Sequence, residues 1–318
     1  MNATKTLAAL LLAAASTLTM AASATQMATD AVELVADLMK TPPEVKEALS
    51  AITHKVMTGM RQELTDSPKE TVDTPKLAAD SQLGATDKPK VAGNMKIDDF
   101  QKAKELLEEK VYFDHRVTLY CGAKFNAQKN VTLPEGFTTP KHAKRAHRVE
   151  WEHVVPAENF GRAFVEWREG DEKCVDSKGR AYKGRRCAEK ANAAFRYMQA
   201  DLYNLHPAIG AVNAMRSNYR YSMLPGVPAT FGTCSMKIDG RRAEPPEAAR
   251  GTIARTVLYM ADAYQGTYRL SRQDRQLMEA WDRQYPVDQW ECTRARRIEA
   301  IQGNPNERVK EACSRAGL

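Results

Sequence analysis

Glu152 and His153 stand side by side near the end of the run Arg148-Val-Glu-Trp-Glu-His-Val-Val-Pro156. The run alternates in character and is closed by Pro156, which predicts a short strand. Neighbours on a strand point to opposite faces, but at a strand end the alternation lapses and both side chains can serve one site. A carboxylate suits hard cations, and an imidazole with an ordinary pKa near ~6.5 can act as a general base. A metal ligand beside a base is what metal-assisted hydrolysis requires. A lone Glu-His pair is more often a polar strand end, so the reading rests on its companions in the chain.

Those companions lie downstream. Residues 201–218 read as a second short strand, broken at Pro207, and then a helical segment carrying Asn213, Arg216 and Asn218. Strand, strand, helix, with His on the first strand and Asn on the helix, resembles the ββα-metal nuclease motif. The blocks EWEHVVPA, GRRC, DLYNLHPAIGAVNAMRSN, RGTIARTVLYM, YPVDQWEC and IQGNPN occur in one order, and together they are similar to the bacterial endonuclease I family of periplasmic and secreted nucleases. The resemblance runs from about Phe100 to Cys313 and does not cover the first hundred residues.

The resemblance implies roles. His153 would be the general base. Glu152 and Asn213 would hold one divalent cation, Mg²⁺, with Ca²⁺ or Mn²⁺ as alternatives. An Arg just before the cysteine of GRRC would contact the scissile phosphate. Its Gly neighbour favours Arg185, and a one-residue offset would make it Arg186. Asn204 either orients His153 or is a turn residue at the strand end. Arg186, Arg216 and Asn218 are the remaining candidates for substrate binding. The family cuts DNA, and often RNA, with little sequence preference; a cation that stabilises the phosphorane and the 3′-oxygen would leave 5′-phosphate ends, and the expected state is a monomer. The rival class is an exported protein that binds nucleic acid without cutting it. The absence of HExxH argues against a peptidase of that type.

The beginning of the chain reads as a secretory leader over residues 1–24. Lys5 is its charged residue, an apolar run comes next, and Ala22-Ser-Ala24 offers small residues for cleavage. The run is too short to span a bilayer, which takes ~20 residues, so no membrane attachment is expected after cleavage. Residues 25–63 predict a helical extension, with an apolar stripe through Ala48, Ile52, Val56 and Met60. Residues 64–95 are rich in Thr, Asp, Lys and Pro and read as a polar linker. Residues 96–318 are left as one catalytic body of α+β class, mostly helical, around a small two-stranded site.

Six cysteines in an exported chain suggest disulfides, and six allow ~15 connectivities. Cys174 and Cys187 would close a short polar loop, and Cys292 and Cys313 would pin the C-terminal tail, which leaves Cys121 for Cys234. The family often has another cysteine two residues after the first, where this chain has Ala123.

Charge is uneven. Lys and Arg exceed Asp and Glu by 7 in the whole chain. Without Lys5 the excess is 6, and residues 25–100 hold 9 basic and 13 acidic side chains, so residues 101–318 carry about +10. A basic body points to a polyanionic partner.

Other elements are expected from local signals. A helix from Ile97 through Leu107 should lead into a strand at 117–121, followed by a basic loop over 122–147. Phe160, Phe164 and Trp167 should share one face of a helix as core. Residues 187–202 read as helical, 232–239 as a strand ending in an Asp239-Gly240 turn, and two long helices should begin at Pro245-Pro-Glu and Ser271-Arg-Gln-Asp.

Overall fold

The computed structural model describes residues 93–318, all within Gly84–Leu318, one of two units into which the chain divides. The leader, the helical extension and nearly all of the linker lie outside the described residues. Packing begins within the stretch read as linker: Asn94 is buried, and its side-chain amide donates to the carbonyls of Ile97 and Tyr197.

Helix α1, Phe100–Leu106, is capped by the Asp99 carboxylate on the Lys102 amide and continues as a π-turn over Leu107–Val111. The strand expected at 117–121 does not form. Val117 makes a single bridge to Lys124, and the chain then turns, with Thr118 Oγ1 accepting from the Ala123 amide. Nor are residues 122–147 all loop. A short hairpin joins β1, Lys124–Phe125, to β2, Val131–Thr132, and α2 spans Ala143–Ala146.

The site strand is β3, Val149–His153. The helix expected over Phe160 to Trp167 is two short ones, α3 at Ala157–Gly161 and α4 at Val165–Arg168. The three aromatics are core, as expected: Phe160, Phe164 and Trp167 all lie 5.6–5.8 Å from the Phe195 ring. The next helical stretch also divides, into α5 (Arg185–Ala191) and α6 (Ala193–Gln199). Asn192 sits between them with extended backbone and caps α6 by accepting from the Phe195 amide.

Strand β4, Leu205–Ile209, pairs antiparallel with β3, placing Glu152 opposite His206 and His153 opposite Leu205. Pro207 lies in the middle of β4 rather than breaking it. A residue's N–H and C=O leave a strand on the same side, and the Pro207 carbonyl accepts from Leu119 at 2.8 Å, away from β3. The missing donor therefore faces the Leu119 loop, and the β3–β4 ladder loses nothing.

Helix α7, Gly210–Arg216, comes directly after β4 and packs on β3. A side chain at Gly210 would put Cβ 2.5 Å from the Arg145 carbonyl oxygen and 2.8 Å from Glu150 Oε1, so only glycine lets the helix start this close to the strand.

A three-stranded sheet is formed by β5 (Arg220–Tyr221), β6 (Lys237–Asp239) and β7 (Arg242–Glu244) in the order β5-β7-β6. The β6–β7 turn carries Gly240 and Arg241 at positive φ. The rest is helical: α8 (Glu247–Ala263), α9 (Arg272–Gln284), α10 (Gln289–Gln302) and α11 (Glu307–Ala316). The starts of α8 and α9 fall where expected, with Ser271 Oγ accepting from the Asp274 amide. The class is α+β, as the sequence predicts. All three expected disulfides are present, Cys121–Cys234, Cys174–Cys187 and Cys292–Cys313.

Candidate active site

Glu152, His153, Arg185 and Asn213 line one cleft of about 280 Å³, together with Trp151, Glu158 and Asn218. The β3–β4 pair supplies the first two, α5 brings Arg185, and α7 brings Asn213. Glu152 and His153 stay in regular ladder register with His206 and Leu205, and both border the cleft at the end of β3.

His153 is buried, and its Nε2 lies 2.9 Å from the Gln199 carbonyl oxygen. A carbonyl can only accept, so Nε2 carries the proton and Nδ1 is the bare nitrogen. Burial, with the Arg185 and Arg216 charges adding to it, lowers the His153 pKa to about 3. The ring is therefore neutral at ordinary pH, with a lone pair on Nδ1. Phe100 packs against it, ring centroids 5.0 Å apart.

Glu152 is buried too. Its Oε1 accepts from the Tyr120 hydroxyl at 2.5 Å and from Arg216 Nη1 at 2.7 Å. Among the described residues its Oε2 makes no hydrogen bond. Burial raises the Glu152 pKa, while Arg216 and Tyr120 oppose the rise. A further cation beside Oε2 would complete the opposition.

Asn213 donates its Nδ2 to Glu150 Oε2 at 2.9 Å. Half-burial pushes the Glu150 carboxyl up, but the hydrogen bonds from Arg145 and Asn213 outweigh it and hold the group below the usual range. An ionised carboxylate accepts only, so Glu150 fixes which amide atom faces it and leaves Asn213 Oδ1 free. Glu150 and Glu152 are two apart on β3, hence on one face. That spacing is the one sign in the sequence that Glu150 belongs to the site, and the motif-based reading misses it.

Arg185 opens α5 behind Gly184. Its Nε donates to Gln199 Oε1 at 3.3 Å, its guanidinium stacks 4.9 Å from the Phe100 ring, and its Nη2 is buried without a partner. Arg186 is exposed, lies over the Tyr182 ring at 4.8 Å, and is absent from the cleft lining. Of the two, Arg185 is the one that lines the cleft.

Three expectations change. Asn204 does not touch His153: its Oδ1 accepts from the Val155 amide at 2.7 Å and its Nδ2 donates to the Val155 carbonyl at 2.9 Å. It is the strand-end residue of the two readings, tying β4 to the chain beyond β3. Arg216 does not face substrate from the surface. It is 1% exposed, lies beneath Glu152, and also donates to the His153 and Val154 carbonyls at 2.8 and 2.6 Å. Asn218 lines the cleft but spends its Nδ2 on Glu158 Oε2 at 2.7 Å. Ser217, between these two, has φ 53° and ψ −133°. That conformation is strained for a non-glycine residue, and it lies at the cleft wall.

A divalent cation fits this donor set. Glu152 Oε2 and Asn213 Oδ1 are hard oxygens without other partners in one cleft, and Mg²⁺ commonly takes one or two protein oxygens and fills the rest with water and phosphate. Among the described residues no cluster of three or more His, Cys, Asp or Glu could hold a metal.

The sequence profile of the Endonuclease I family matches residues 113–313. An extracellular deoxyribonuclease of Aeromonas hydrophila is 43% identical over 67% of this chain and 90% of its own length. A periplasmic deoxyribonuclease of the same organism is 44% identical over 64% and 82%. Endonuclease-1 of Buchnera aphidicola subsp. Acyrthosiphon pisum is 38% identical over 68% and 82%. Among the described residues no helix is long and apolar enough to cross a membrane. A cleft that joins a neutral imidazole, two free hard oxygens and an unpaired guanidinium, on a chain this similar throughout residues 113–313, places the protein in the endonuclease I family of nucleases.

Proposed function

We propose that this periplasmic or secreted nuclease is a divalent-metal-dependent endonuclease. It hydrolyses DNA, and RNA as a further substrate, with little sequence preference, leaves 5′-phosphate ends, and acts as a monomer. The observation that carries the reading is the conjunction in one cleft of the His153 base with Glu152, Asn213 and Arg185, each with an atom left over.

A phosphodiester resists hydrolysis because water is a weak nucleophile and the phosphate repels negative charge. Three things are needed: a base for the water, positive charge on the phosphate, and relief for the departing oxygen. His153 Nδ1 takes the proton of the attacking water, while the Gln199 carbonyl holds the ring in the required tautomer. Arg185 Nη2 donates to a non-bridging phosphate oxygen, and Arg suits the role by its planar geometry. Glu152 Oε2 and Asn213 Oδ1 would hold the cation, whose charge would offset that developing on the phosphate and on the 3′-oxygen. Water adds to phosphorus and the P–O3′ bond breaks; the departing oxygen takes a proton from solvent, giving a 3′-hydroxyl and a 5′-phosphate, and His153 then releases its proton to solvent. Arg216 keeps Glu152 Oε1 occupied, so that Oε2 alone is offered. Contacts of this kind reach phosphate and not base edges, which accounts for low sequence preference.

The test is degradation of plasmid DNA by the purified mature protein. Cleavage should require Mg²⁺, stop in EDTA, and fail in His153→Ala. Binding without cleavage under every metal condition would replace this reading with that of a non-catalytic nucleic-acid-binding protein.

A further inference from the structure

Beside the catalytic cleft lies a larger groove of about 500 Å³, and the two share Pro156, Glu158 and Asn218 in their walls. Four exposed arginines line it: Arg162, Arg220, Arg241 and Arg269. Arg162 is taken up by Glu158, with Nε 3.0 Å from its Oε1. Among the described residues the other three lie within hydrogen-bond or ion-pair distance of no carboxylate, and Arg241 acts on Glu158 only through its charge at longer range. Most arginines elsewhere on the described body are paired: Arg297 with Asp114, Arg308 with Asp262, Arg145 with Glu150, Arg180 with Asp176. The groove also reaches the back of the buried Arg216, whose Nε has no partner. The acids in the groove wall are engaged, Glu158 by Arg162 and Asn218, and Asp274 by the Ser271 hydroxyl.

The three free cations come from separate elements. Arg220 is on β5, Arg241 is at the tip of the β6–β7 turn, and Arg269 is in the α8–α9 connection. Three elements presenting unpaired guanidinium groups to one groove make a track for a chain of anions. The Arg241 backbone is held at φ 60°, a conformation non-glycine residues rarely adopt.

We infer that this groove is a second nucleic-acid subsite, in which Arg220, Arg241 and Arg269 hold backbone phosphates adjoining the one cut at His153. The inference rests on the nuclease reading and deepens it. It makes the enzyme one that prefers polynucleotides over small diesters, because the scissile phosphate is positioned by its neighbours. These arginines are positioning residues and touch no reacting atom.

The test measures binding and cutting separately. Binding of a labelled 20-base-pair duplex to the mature protein in EDTA is followed across a salt series. The triple variant R220Q/R241Q/R269Q should bind at least tenfold more weakly at low salt. Each phosphate contact contributes about 0.9 to the slope of log K against log salt, so the slope should become shallower by about 2 to 3. A charge-matched variant, K190Q/R283Q/R296Q, should move the slope by less than one. In Mg²⁺, turnover of bis-(p-nitrophenyl) phosphate by the groove variant should stay within about twofold of wild type, which also shows the variant folded, while KM for DNA rises. An unchanged slope in the groove variant overturns the inference, as does an equal change in the control variant. A wild-type protein that binds but cuts nothing overturns the nuclease reading instead, and the binding slopes still decide the groove.

Discussion

Two buried arginine–glutamate pairs in this protein have nearly the same separation and opposite character. Arg255 on α8 grips Glu291 on α10 with both ends: Nε to Oε1 at 2.7 Å and Nη2 to Oε2 at 2.6 Å. Its Nη1 is shared by Asp282 and the Tyr285 carbonyl at 3.0 and 2.9 Å, and Thr252 adds a bond to Glu291. Every polar atom there is used. Arg216 on α7 grips only Oε1 of Glu152, at 2.7 Å. Its Nε is orphaned, and the second carboxylate oxygen is left over. The first arrangement fixes helices to one another. The second holds a carboxylate in place while keeping one oxygen free. The same contrast recurs nearby. Asp201 is saturated by Tyr259, Tyr264 and Gln302, whereas Asn213, Arg185 and His153 are each fixed at one end and free at the other. A buried polar group normally finds all its partners, so a cluster of half-satisfied ones marks a place built for something that arrives later.

The comparison can be broken by mutation. The largest effect should come from His153→Ala, which should cut the single-turnover rate by about 10²–10⁴, the usual contribution of a general base. The Kd for duplex in EDTA should move less than about threefold, and a wild-type rate would remove His153 from the mechanism. Next in size are the two arginines. Arg216→Met and Arg255→Met each strand a buried carboxylate, and each should cost about 3–5 kcal/mol of unfolding free energy by denaturant titration. Only Arg216→Met should raise the Mg²⁺ concentration for half-maximal cleavage, measured well below the melting temperature. Equal Mg²⁺ midpoints in the two variants would erase the distinction between them.

Acid should act through histidines held neutral by burial. His153 has a folded pKa of about 3, and His206, buried on β4, is also well below its ordinary value. In the unfolded chain both titrate near ~6.5. Below that pH the unfolded state binds protons that the native state refuses, so stability is intact above about pH 6.5 and falls as pH drops towards 3. The slope approaches about 1.4 kcal/mol per pH unit for each histidine. Glu152 and Asp201, whose burial raises their pKa values, act in the opposite sense, adding stability as pH falls. Thermal melts from pH 7.5 to 5 measure the histidine contribution, and a flat profile would show that neither ring stays neutral. The smallest effects separate the two asparagines. Asn204→Ala should lose about 1–3 kcal/mol of stability, because it strands the buried Val155 amide and carbonyl. Asn213→Ala should cost less than that and should raise the Mg²⁺ midpoint. A midpoint shift in Asn204→Ala alone would reverse their roles.

The sequence carries the site better than it carries its support. Glu152 and His153 stand out in the sequence as a carboxylate beside an imidazole at a strand end, and Asn213 stands out through the resemblance to one family. Arg185 is legible only as one of two neighbours, since the start of α5 decides which guanidinium turns into the cleft. Tyr120, Gln199 and Arg216 are not legible in their roles. They come from distant parts of the chain, and an arginine read in isolation belongs on the surface. The strand expected at 117–121 fails for a local reason: the chain turns back at Gly122, with φ 60°, and the Thr118 hydroxyl meets the Ala123 amide. The divided helices trace to individual residues. Asn192 caps α6. At Gly161 a side chain would collide with the Trp167 ring, 2.3 Å from Cε3, so the α3–α4 break is held by an aromatic packing on glycine.

The free oxygens of Glu152 and Asn213 are proposed to form one cation site. Calorimetric titration of Mn²⁺ into the metal-free mature protein should show one binding event in wild type, weakened at least tenfold in both Glu152→Gln and Asn213→Ala and unchanged in Arg255→Met. Binding of undiminished strength in the first two variants would contradict it.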